Sequence, residues 1–241
     1  MASRFGLLLI GALLAATAAH ADAFADFTAA VESFSAHNRA ALRYLRDDEV
    51  GPMSEEVGKM RTAWAVINGK FGKPPPQLTA DRTLYTTTLV DVSMRLVGVS
   101  MFIQMGSRSG VRNSLTAIRT DLSALRKANG IRTLADCVLE ANQTLTALVA
   151  HGDPIPTDWS KPEAGSDLSA KAAEYGHILD RCDSIAGADT RGEPRFRQLI
   201  DETKATLAAL AKALAAHDTA HLRAILEDWR NHDDALAFGY G

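Results

Sequence analysis

Two cysteines, two histidines four apart, a line of arginines and a run of methionines are the residues here whose types and spacing could do chemistry. Cys137 and Cys182 are the only cysteines in 241 residues. An even pair far apart in sequence, without the C-x-x-C spacing of a redox centre, fits a structural disulfide better than a redox-active pair. Their midpoint falls in the centre of an irregular stretch from His151 to Asp167. Two helices folding back about that stretch would bring the sulfurs level. His217 and His221 have Asp218 between them and His232 further on. On a continuous helix such spacing can offer two imidazoles to one metal. The pair straddles an expected turn and lacks the glutamate of H-E-x-x-H, so a solvated, capped turn is favoured over a metal site.

Arg108, Arg112, Arg119 and Arg126 share one helix face. The planar guanidinium fork suits carboxylate or phosphate recognition, which makes this a candidate anion or partner face. The plainer reading is a solvated face paired with neighbouring carboxylates. Met94, Val97, Met101 and Met105, with Phe102 beside them, add a second apolar face to a helix that already has one. A helix of that kind is central in a core or lines a cavity. Core packing is the first expectation and a candidate apolar pocket the second. Soft-metal or haem ligation by methionine is the third. Trp159, in a proline-rich connection, either anchors an interface or tucks back over the end of the fifth and sixth helices.

No Gly-rich phosphate loop, nucleophile elbow or paired metal motif is present, so neither an enzyme nor a cofactor is expected. An alanine-rich helical bundle resembles cytochrome c′ in architecture, a family that attaches haem at C-x-x-C-H. Here Cys137 is followed by Val138, Leu139 and Glu140, and Cys182 by Asp183, Ser184 and Ile185. Covalent haem is therefore excluded, and the likeness is one of architecture only.

Helices must position all of these groups. Apolar residues recur in steps of four and three, as in Met53, Val57, Met60, Trp64, Ile67 and Phe71, and again in Tyr85, Leu89, Val92, Leu96, Val99 and Ile103. That spacing lays each set along one stripe of a helix. About eight helices follow. The first runs from about Phe24 to Arg46 and the last from about Thr219 to Phe238. Breaks are expected at Gly51-Pro52, at Gly72 to Pro76, at Gly106 to Gly110, at Asn129-Gly130 and at Gly187 to Pro194. Nothing alternates with period two, so no sheet is expected. A faint repeat, three apolar residues and an arginine, aligns Met53–Arg61 with Val111–Arg119 and Leu222–Arg230. The expected fold is all-α, a bundle or short stack of about four antiparallel hairpins, with residues 24–241 as a single domain.

The first 23 residues read as a cleaved secretory signal. Arg4 precedes an apolar stretch from Phe5 to Ala19, and small-x-small sites follow at Ala19 to Ala21 and Ala21 to Ala23. Fifteen residues is short of the roughly 20 that a span needs, and no later segment reads as a span. The expected compartment is the periplasm, where two cysteines oxidise to a bridge. A net charge of −3 excludes a general nucleic-acid binder. Three functions follow in order: a scaffold or adaptor for another periplasmic or membrane-associated protein, a carrier of an apolar small molecule or lipid, and a non-covalent haem or metal-binding bundle.

Overall fold

Leucine-rich stripes on alanine-rich helices leave each helix one face to bury, and the chain buries them in two rings of four. The computed structural model describes residues 6–241 apart from 151 and 162, with side chains from residue 23 onward. The leader expected over residues 1–23 therefore lies almost wholly outside the described side chains. Nine helices and a short 3-10 turn at Pro76–Leu78 make up the described secondary structure, with no strand among the described residues. Residues 24–241, read from sequence as one domain, divide into two compact units that meet at Ile131 and Arg132.

The first unit holds α1 (Gly6–Arg46), α2 (Val50–Lys70), α3 (Arg82–Gln104) and α4 (Arg108–Ala128). Each packs on the next, and α4 returns to α1. This closed ring lets every stripe meet two neighbours. The core contains Phe34, Trp64, Tyr85, Leu115 and Ile118, all nearly or wholly buried. Phe34 tilts against Trp64 with ring centres 4.9 Å apart, and Phe27 meets Phe71 edge-on at 5.3 Å.

The second unit holds α5 (Leu134–Val149), α6 (Ser166–Ile185), α8 (Pro194–Ala215) and α9 (Thr219–Tyr240), with the five-residue α7 (Ala188–Gly192) between α6 and α8. The ring closes in the same order: α5 on α6, α6 on α8, α8 on α9, and α9 back on α5. Tyr175 and Trp229 form its centre, edge to face at 5.0 Å.

Side-chain caps account for several helix starts, each satisfying amides left without intrahelical partners. Asp81 accepts from the Leu84 amide, Ser107 from Gly110 and Asp218 from His221. Thr133 and Asp136 form a reciprocal capping box at α5. One expected break moves. The turn before α2 is at residues 47–49, with Asp48 at a φ of 64°, and Gly51 and Pro52 lie inside the helix. A first-turn proline sacrifices only an amide that has no helical partner, so it does not interrupt.

Burial shows in the phenols. It pushes the Tyr85 hydroxyl up to about 12. Burial and the neighbouring Asp233 hold Tyr175 well above its ordinary 10.0. Each folded phenol binds its proton more tightly than the unfolded one. The contribution of each is thus complete below pH 10 and is lost as pH rises above it, for Tyr85 through 10 towards about 12. Thermal unfolding followed from pH 8 to pH 12 should show melting temperatures falling above pH 10, and Tyr175→Phe should flatten that fall for the second unit.

Candidate functional site

The outward face of α3 is where surface and composition disagree most. At 100° per residue, Tyr85, Leu89, Val92, Leu96 and Val99 point into the first unit and are buried. The opposite arc carries Thr83, Thr86, Thr87, Val90, Met94, Val97, Met101, Gln104 and Met105, all exposed. Its five apolar members are between 51% and 68% exposed. No charged residue lies on this arc over about six turns. The charged residues of the helix interior are elsewhere: Arg95 binds Asp121 at 2.5 Å across to α4, and Asp91 is half-buried. Ser93 sits on the α2 side and accepts from the Trp64 indole at 3.0 Å.

This corrects the expectation for Met94, Val97, Met101 and Met105. They are exposed rather than packed in the core, and line neither the cleft beside Phe102 nor the groove between α6 and α8. Of that set only Phe102 is inward, half-buried against α4. A Cβ on Gly110 would come within 2.5 Å of the Phe102 ring, so glycine there lets the aromatic lie on the α4 backbone. Gly110→Ala should cost about 1–3 kcal/mol through overpacking, read by denaturant titration, and Phe102→Leu should restore most of it. Phe102 also borders a cleft of about 200 Å³ with Leu45, Val50, Met53, Ile103 and Val111.

A second correction concerns membrane spans. By length and composition α3 alone among the described helices could cross a bilayer, with a mean hydropathy of 1.3 over its most apolar 18 residues. Its buried stripe and its exposed arc are both apolar, and an average over 18 residues counts the two together.

The arginines do not form a free ridge. Arg108 pairs with the Asp48 carboxylate and donates to the Leu45 carbonyl at 2.7 Å, pinning α4 to the end of α1. Arg119 and Arg126 are half-buried and engaged. Arg112 is exposed. An anion face built from all four is therefore not assembled.

Trp159 tucks back. Its indole stacks on His217 with centres 4.6 Å apart and donates to the Thr219 hydroxyl at 3.2 Å. It is half-buried over the α8–α9 turn, rather than over the end of the fifth and sixth helices where the sequence places it. His217 lies in that turn at a φ of 55°, while the His221 amide is capped by Asp218. The two imidazoles do not share a helix, as the turn reading expects. No group of three or more metal-ligating side chains is gathered among the described residues.

No family model matches this chain, and no curated protein or solved structure matches it either.

Cys137 and Cys182 are joined, with their α-carbons 5.4 Å apart, and both are buried. The bridge ties α5 to α6 on either side of the long connection, as their placement about residue 159 suggests. Two features escaped the sequence reading. One is a buried polar cluster: Asp233 accepts from the Tyr175 hydroxyl at 2.6 Å and from the Asn142 amide at 2.6 Å. The other is an open groove of about 430 Å³ between α6 and α8, lined by the small residues Ala172, Ala173, Gly176 and Ala208, with the Lys204–Asp180 ion pair at its edge.

Proposed function

We propose that this protein is a periplasmic helical scaffold or adaptor that binds a protein partner through the outward face of α3. The observation that carries the reading is the uncharged arc from Thr83 to Met105, with Val90, Met94, Val97 and Met101 at its centre. Exposed apolar patches rimmed by polar residues mark interaction surfaces. Methionine is enriched and lysine, glutamate and aspartate are depleted at interface centres. A buried disulfide suits an oxidising compartment, and the apolar leader suits export to one.

Carriage of an apolar ligand has less support. Its proposed lining faces outward, and the cleft beside Phe102, at about 200 Å³, is below the roughly 300–1,000 Å³ typical of small-molecule pockets. The groove of about 430 Å³ between α6 and α8 is large enough, but it is open and edged by His177, Asp180 and Lys204.

Site-specific photo-crosslinking in the exporting cell tests the docking reading. A benzophenone side chain at Val97 should yield a discrete covalent adduct with another polypeptide. The same group at exposed Glu227 on α9 should not. Equal, diffuse labelling at both positions would count against the α3 face as a docking surface.

A further inference from the structure

The outward face of α3 has a finer regularity than mere apolarity. Thr83, Thr87, Val90, Met94, Val97, Met101 and Gln104 are spaced 4, 3, 4, 3, 4, 3. That is the spacing of a coiled-coil seam, apolar at its four central positions. It sits on the back of a helix whose other face is already committed to its own bundle. The seam is also self-complementary. About a twofold axis through Met94, antiparallel packing sets Met94 against its own copy and Val90 against Val97. Thr87 then faces Met101, and Thr83 faces Gln104 and Met105. An apolar centre is flanked at both ends by neutral polar residues.

Charge selects this face for self-contact. Two copies of a chain carrying a net charge of −3 repel one another, and like charges facing each other across an interface are costly. The α3 arc brings no charge with it. Its five apolar side chains, half to two-thirds exposed, offer on the order of 500 Å² per chain. Two copies would bury about 1,000 Å², with the threonines and Gln104 adding to it, at the lower bound of a specific interface.

We infer that the occupant of the α3 face is a second copy of this chain, packed antiparallel about a twofold axis at Met94 to form a homodimer. This rests on the reading of α3 as a protein-docking surface and names its partner.

Sedimentation velocity on the full exported, oxidised chain tests it. A species of twice the chain mass should grow in between about 1 and 100 µM, the range in which interfaces of this size associate. Val97→Glu places two carboxylates in the seam by symmetry and should raise the dissociation constant about a hundredfold or more. Val66→Glu, at an exposed position on α2, should leave it unchanged. Both variants should keep the helical circular dichroism of the parent, since neither position is buried. Met94→Cys should form an intermolecular disulfide on mild oxidation, and Arg112→Cys should not.

A parent chain that stays monomeric at 100 µM overturns the proposal. So does a dimer that survives Val97→Glu without cross-linking through Met94→Cys. The two readings fail separately. A monomer whose Val97 photo-adduct has the mass of a different polypeptide removes the homodimer and keeps the docking face, whereas no adduct removes the face itself.

Discussion

Replacing Cys137 and Cys182 together by alanine should destabilise the second unit by about 4 kcal/mol, the chain-entropy value for tying positions 45 residues apart. For a unit of this size that corresponds to a fall of about 15–20 °C in melting temperature. Neither cysteine lies in the first unit, whose transition should stay where it is. Calorimetry of the oxidised parent and the double variant reads both at once. A shift of one transition alone localises the effect of the bridge to the α5–α6 pair. Two transitions unmoved would show that the bridge contributes nothing. Both sulfurs are buried, so a reductant should act on the native protein only as fast as that helix pair opens.

The next largest effect is expected at Asp233. This carboxylate is 2% exposed and accepts from both Tyr175 and Asn142. Asp233→Ala leaves the Tyr175 hydroxyl buried without its acceptor and strips a partner from Asn142. The loss should be about 2–4 kcal/mol, because an orphaned buried donor forfeits its full solvation. Tyr175→Phe takes one of its two donors from the buried Asp233 carboxylate, leaving the Asn142 amide, and should cost about 1–3 kcal/mol. The double variant should be less destabilised than the two single losses added. Urea titrations of the parent and the three variants, followed by tryptophan fluorescence to which Trp229 beside this cluster contributes, give the coupling energy directly. Strict additivity would mean that Tyr175 and Asp233 stabilise the unit independently.

The helices were legible because four-three spacing is a physical demand: a stripe must return to the same side each turn. All eight expected helices are present, and the disulfide follows from the symmetric placement of its cysteines about a helix-free stretch. The five-residue α7 carries too few residues for any periodicity to show. Spacing also cannot tell inside from outside on a helix that is apolar on both faces. The Tyr85 stripe and the Met94 stripe of α3 are equally regular, and only the neighbours α2 and α4 decide which is buried. The arginines misled for a related reason. Their spacing placed them on one face of α4 correctly, but Asp48, on a separate helical hairpin end, is what engages Arg108. Asp233 did carry a signal. It occupies the stripe position between Trp229 and Leu236, and Asn38 occupies the corresponding slot between Phe34 and Ala41. A polar residue in a stripe announces a buried polar contact; Asn38 makes its own to the Leu115 carbonyl at 3.0 Å.

The ring order of the two units bears on how the chain reaches its native state. Each helix packs on its neighbours in sequence, and the longest reach is from the first to the fourth of a ring. Topologies of such low contact order fold quickly. Every partner needed by the first unit has been synthesised by residue 131, before either cysteine exists. That half can therefore collapse vectorially and without a bridge, while the second waits for α9 to close its ring. A pulse of reductant during biosynthesis should then split the nascent population by protease resistance, sparing the amino-terminal half and exposing the carboxy-terminal one.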